Sequence, residues 1–258
     1  MPRLAANVSL LFPQVDFLER FDAAAGAGFR YVEYQFPYAW GASEVAERAR
    51  AAGVEVVLHN LPGGDFGKGD RGLACLPERR SEFRDGVGRA IEYARAVGCP
   101  RLNCLAGVVA DEAPRARHFD TLVDNLRYAA RMLRAEGMRL MLEACNRRTV
   151  PGFFVATSRE AIAALDAAGA DNAFLQYDIF HMQIMEGDLA RTIERLLPRI
   201  GHMQLADVPD RHEPGSGEIN FPFLLAHIDR LGYAGWIGCE YNPRGDTVEG
   251  LKWAKPYL

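Results

Sequence analysis

The chain reads as a single α/β domain over residues 1–258, folded as a (β/α)8 TIM barrel. Three observations predict it. Short apolar or alternating runs recur eight times with helical patterns between them, an order that implies a parallel sheet with right-handed crossovers. Several helical patterns stop just before a glycine that leads into the next strand. The 258 residues suit one closed barrel, for which roughly 250 is typical.

In chain order, the first strand is expected at Leu4–Leu11 and the first helix at Asp16–Ala27, ending before Gly28. The turn between them, LLFPQVD, lacks the glycines that an open dinucleotide-binding sheet places there. Tyr31–Tyr34 leads to helix Ser43–Ala52, and Gly53 opens the third strand, Glu55–Leu58. The longest loop, NLPGGDFGKGDRGLACLPE (Asn60–Glu78), follows; a long glycine-rich βα loop is expected to wall or cover a site. Helix Arg80–Val97 stops at Gly98 before strand Arg101–Leu105, and helix Arg117–Glu136 stops at Gly137 before strand Arg139–Glu143. Thr157 resembles the N-cap of helix Ser158–Ala168. Strand Ala173–Asp178, helix Asp188–Leu197, strand His202–Leu205, helix Pro222–Leu231, strand Trp236–Glu240 and helix Val248–Tyr257 complete the series.

Composition narrows the function. A net charge of -4 leaves no basic footprint for nucleic acid and suits an enzyme of small molecules. Five cysteines form no CxxC pair, and the N-terminus has neither a signal-peptide apolar region nor a cleavage site. Reduced thiols and a cytoplasmic location are therefore expected. No run reaches the ~18 apolar residues of a membrane span.

In such barrels the active site lies at the C-terminal strand ends. Strand five ends in Glu143, strand six in Asp178, strand seven delivers Gln204, and strand eight ends in Glu240. Four consecutive strands thus bring an oxygen ligand to one rim. Three converging carboxylates would raise one another's pKa unless a cation relieved them. Oxygen ligands without thiolate favour Mg2+ or Mn2+. His181, three residues after Asp178, and His59, ending strand three, are candidate substrate contacts. Arg211, in the loop after strand seven, could hold a substrate carboxylate bidentately. His202 is expected at the opposite rim in a structural role, and Cys145 and Cys239 are expected to pack in the core.

The sequence resembles the hydroxypyruvate isomerase family, within the xylose-isomerase-like barrels. The resemblance runs nearly the whole chain, through LHNLPGGD (58–65), QYDIFHMQIMEGDL (176–189), DRHEPGSGEIN (210–220) and GYAGWIGCEYNPRGDTVEGLKW (232–253). It implies a metal site of Glu143, Asp178, Gln204 and Glu240, the two glutamates acting also as acid/base groups, with His181 and Arg211 on the substrate. Gln204 stands where the related ketose 3-epimerases carry a histidine. Glu143-Ala144-Cys145-Asn146 stands where many relatives have Glu-Pro-Ile-Asn. The implied reaction interconverts hydroxypyruvate and tartronate semialdehyde through an enediolate. A sister branch isomerises 2-oxo-tetronates, and MPRLAAN and PDRHEP resemble that branch. A ketose 3-epimerase is the nearest enzymatic rival. An endonuclease IV-like phosphodiesterase would want more histidines and a basic surface. Barrels of this kind often pair as homo-oligomers, though no patch in the sequence marks an interface.

Overall fold

Side chains alternate across a β-strand, so each strand of a barrel sends one row inward and one row toward the helices. The computed structural model of the chain describes residues 1–110 and 114–258, and in it the eight strands close in sequence order into a parallel barrel. The strands are β1 (Arg3–Asn7), β2 (Tyr31–Tyr34), β3 (Glu55–Asn60), β4 (Arg101–Cys104), β5 (Arg139–Glu143), β6 (Ala173–Asp178), β7 (Ile200–Leu205) and β8 (Trp236–Cys239). The helices are α1 (Arg20–Gly26), α2 (Ala42–Ala52), α3 (Arg80–Val97), α4 (Arg115–Arg134), α5 (Ser158–Ala168), α6 (Ile179–Met185), α7 (Leu189–Leu196), α8 (Phe221–Arg230) and α9 (Thr247–Gly250). The hydrophobic core includes strand residues such as Val32, Tyr34, Leu102, Leu140 and Leu142 and helix residues such as Phe21, Leu126, Leu133 and Ile193. Each such buried side chain contributes roughly 1.5–3 kcal/mol relative to exposure. Among the described residues, no helix is long and apolar enough to cross a membrane.

The caps expected from sequence form. Gly53 and Gly98 end α2 and α3 in left-handed conformations that a side chain would strain. The Thr157 hydroxyl accepts from the backbone N–H of Glu160 at the start of α5.

Strand β3 runs two residues past its expected end, β7 starts two residues before its expected start and α4 is shifted by two residues, while four elements differ more in kind. The first strand ends at Asn7, because the Asn7 carbonyl accepts from Leu10 and Leu11 and its side chain from Ser9, which turns the chain. The first helix opens as a 3-10 turn, Phe17–Glu19. The last helix breaks into α9 and two 3-10 turns, Leu251–Trp253 and Lys255–Tyr257. Helix α6 was not expected; it starts directly off β6, where the Asp178 side chain accepts from the Phe180 N–H as its N-cap. The long loop is largely built into the fold: Leu73, Ala74 and Cys75 are buried, Gly72 bridges Ala106, and the exposed residues lie around 65–69.

Candidate active site and metal centre

Parallel strands that end together place their last inward residues on one rim. Glu143 ends β5, Asp178 ends β6 and Glu240 follows β8. One carboxylate oxygen from each of the three lies within 4.8 Å of the others, and all three residues are buried. Burial, reinforced by Glu240 and Asp178, holds the Glu143 carboxyl well above its ordinary range. Burial pushes Glu240 up to about 7 against the pull of Arg211, with Asp178 and Glu33 adding to the rise. Crowded, desolvated carboxylates of this kind are a ready seat for a hard divalent cation.

Each glutamate is already oriented. Asn103 Nδ2 donates to Glu143 Oε2 at 2.7 Å, and Gln35 Nε2 donates to Glu240 Oε1 at 2.8 Å. Asn7 Nδ2 lies 3.3 Å from the same Glu240 oxygen. Gln204, on β7, pairs in register with Asp178. Its Nε2 donates to Glu33 Oε1 at 2.7 Å, and its Oε1 accepts from Gln176 Nε2 at 2.7 Å. An amide oxygen has two lone pairs, so one remains for a further partner.

His181 sits in the first turn of α6, fully buried. Its Nδ1 accepts from the backbone N–H of Asn146 at 3.1 Å, with the Asn146 side-chain amide 2.6 Å away. A backbone N–H can only donate, so Nδ1 is unprotonated and a neutral ring carries its proton on Nε2. Nε2 lies 3.5 Å from Asp178 Oδ2 and 3.8 Å from Glu143 Oε1. Burial pulls the His181 pKa down to about 4, so the ring is neutral near pH 7 and presents an N–H to the site.

Arg211 supplies positive charge to the cluster. Its Nη2 lies 2.5 Å from Glu240 Oε2 and 3.3 Å from Asp178 Oδ2. Burial works against that charge, but Glu240, Asp178 and Glu143 together hold the guanidinium above its ordinary range. Its backbone adopts a left-handed φ of 61°, strained for a non-glycine residue. Asp207 holds this loop in shape. Its two oxygens accept from the backbone N–H groups of Val208, Gly215, Gly217 and Ile219 at 2.9–3.0 Å.

Thus the structure brings Glu143, Asp178, Glu240, His181 and Arg211 together, with Gln204 on the adjoining strand. His59 is elsewhere. It faces the helices, fully buried, stacked on Tyr34 and edge-on to Tyr38 and Tyr93, while its neighbour Asn60 turns inward to Asn103. His202 also differs from expectation. It does not open the strand at the far rim; it is the third residue of β7, with Nε2 2.5 Å from Glu33 Oε2. Of the polar groups on and after β7, Gln204 lies on the strand beside Asp178, Arg211 joins the carboxylates, Asp207 builds the loop, and Asp210 is exposed. Cys145 also lies near Glu143 and His181, with burial first among the causes that hold its thiol well above the ordinary range. Sequence reasoning missed Asn7, Glu33, Gln35, Asn103, Asn146 and Gln176. The available signal was parity: Gln176 and His202 stand two residues before Asp178 and Gln204, on the same strand face.

The xylose isomerase-like TIM barrel family model matches residues 21–257. The chain is 47% identical over 257 residues to a hydroxypyruvate isomerase of Escherichia coli K12, covering all of both chains. It is 46% identical over 258 residues to a 2-oxo-tetronate isomerase of Cupriavidus necator, covering all of this chain and 99% of that one. A crystal structure from Brucella melitensis described as an AP endonuclease, family 2, is 44% identical and superposes with a TM-score of 0.97, covering 100% of this chain and 99% of that one.

Proposed function

The chain belongs to the xylose isomerase-like TIM-barrel family, among its hydroxypyruvate and 2-oxo-tetronate isomerases, and we propose that it interconverts hydroxypyruvate and tartronate semialdehyde with the help of a divalent metal ion. The observation that carries this reading is the buried cluster of Glu143, Asp178 and Glu240 beside Arg211 and a neutral His181. The donor set fits a hard cation: three carboxylates and the free lone pair of the Gln204 amide oxygen, with Mg2+ or Mn2+ as the matching ions. When bound, such an ion would supply stabilisation of negative charge on the substrate oxygens.

The side chains divide the remaining work. Arg211 is placed to hold the substrate carboxylate, exchanging part of its contact with Glu240 and Asp178 for a bidentate pair. One of the two glutamates takes a proton from C3, and the electron pair left behind forms the C2–C3 enediolate. A proton returned to C2 and transfer of the hydroxyl proton from O3 to O2 complete the exchange. Asn103 on Glu143 and Gln35 on Glu240 fix each carboxylate for proton transfer, and general acid/base help of this kind is typically worth ~10²–10⁴-fold. The His181 Nε2–H orients the substrate oxygens.

The test is steady-state turnover of hydroxypyruvate and of a 2-oxo-tetronate by the wild type, Glu143→Gln and Glu240→Gln under saturating Mg2+. The proposal expects hydroxypyruvate to be the better substrate and both variants to lose at least 10²-fold in kcat. The resemblance to the 2-oxo-tetronate isomerase keeps a second reading, in which the four-carbon acid is preferred and the same residues act. Full turnover by Glu143→Gln would remove the acid/base assignment in either case.

A further inference from the structure

Below the carboxylate cluster lies a second buried acid that the proposed reaction does not use. Glu33, on β2, is completely buried and has no Lys or Arg partner among the described residues. Its Oε1 accepts from Gln204 Nε2 at 2.7 Å and from Asn7 Nδ2 at 2.9 Å, and its Oε2 lies 2.5 Å from His202 Nε2. The fourth side is Gly238 of β8, where a Cβ would stand 2.2 Å from Glu33 Oε1. A carboxylate has been given a fitted seat in the barrel interior, where it is costly to keep.

The geometry points to Glu33 as the positioning residue that fixes which end of the Gln204 amide faces the metal site. This inference rests on the proposed role of Gln204 as a metal ligand. An amide is nearly symmetric in shape, and a flip would turn an NH2 toward a cation. Glu33 Oε1 accepts, so it holds Nε2. Gln176 donates its own Nε2 to Gln204 Oε1 from the other side, but its Oε1 has no partner among the described residues, so Glu33 sets the orientation and Gln176 follows it. The pair thus lets a neutral glutamine act as an oxygen ligand. Asn7 extends the effect, since its Nδ2 also reaches Glu240 Oε1 at 3.3 Å.

The test is Mn2+ affinity, read by EPR from the free-ion signal, for wild type, Glu33→Gln, Gln204→Ala and the double variant. Glu33→Gln keeps the volume but lets both amides flip; circular dichroism checks its fold. Partners of metal ligands typically contribute 10–100-fold in affinity, so Glu33→Gln is expected to bind Mn2+ about 10–100-fold more weakly. In the Gln204→Ala background the same change is expected to cost less than about threefold, because its route has been removed. Unchanged affinity in Glu33→Gln overturns the inference. An equal loss in both backgrounds also overturns it, since Glu33 would then act by charge alone. Where Glu33→Gln does not fold, the wild type decides. Its Gln204 side-chain amide protons, assigned by their loss in Gln204→Ala, are expected to exchange slowly both with and without Mg2+. Exchange that becomes fast on Mg2+ addition contradicts the inference. Failure of the wild type to bind Mn2+ would instead strike the proposed metal dependence, a separate result.

Discussion

Replacing Glu240 by glutamine is expected to stabilise the metal-free protein and to destabilise the metal-loaded one. The folded-state pKa of Glu240 rises from an ordinary 4.5 to about 7, with burial as the main cause. Between those values the folded protein holds a proton that the unfolded chain has released. This contribution to stability is complete below pH 4.5 and is lost as pH rises through about 7. At ~1.36 kcal/mol per pH unit, the loss at pH 8 amounts to about 3 kcal/mol, shared with Glu143, which is raised alongside it. Gln mimics the protonated acid at every pH, and Arg211 keeps Asp178 as a partner. In EDTA at pH 8, Glu240→Gln should therefore exceed the wild type by up to about 3 kcal/mol, a difference that shrinks toward pH 5. With saturating Mg2+ the order should invert, because the wild type gains binding energy that the variant has lost. Urea unfolding followed by circular dichroism, at pH 5 and 8 with EDTA or Mg2+, gives all four values. The variation in His protonation cancels in the wild-type minus variant difference. A wild type at least as stable as Glu240→Gln at pH 8 in EDTA would refute the reasoning.

Other consequences can be measured separately. Asp207→Ala removes the acceptor for four backbone N–H groups and is expected to cost about 2–4 kcal/mol in unfolding free energy. It should also raise KM through Arg211, whose loop it releases. In 15N NMR, His181 should show an unprotonated Nδ1 and a protonated Nε2 from pH 8 down to pH 5, since burial pulls its pKa to about 4; a midpoint near 6.5 would contradict this. All five cysteines are buried, and burial raises the pKa of each. A thiol reagent should therefore label none of them in the native protein at pH 8 and all of them in guanidinium.

The barrel and its rim carboxylates were legible because their signals are local. Strands β5 and β6 keep their expected bounds, and each ends in an acidic residue that no core would accept unpaired. Helix α6 was not legible: IFHMQIM is apolar on nearly every face, so periodicity gave no helix, and its N-cap is the residue that ends the strand. His59 shows the cost of reading strand ends without parity. The third strand runs on to Asn60, and one residue of register separates a side chain in the site from one among the helices. The amides that fix the glutamates come from β1, β4 and the end of β2, so their convergence exists only after the barrel closes. Asp207 could not be told from a ligand by sequence, since its partners are four backbone groups up to twelve residues away.

The most direct test of metal-dependent isomerisation is a 1H NMR time course of hydroxypyruvate in D2O with the purified protein, once with Mg2+ and once with EDTA. The enediolate route predicts tartronate semialdehyde carrying deuterium at C2 in the Mg2+ sample and little conversion in EDTA. No conversion with Mg2+, or equal conversion in EDTA, would contradict the account.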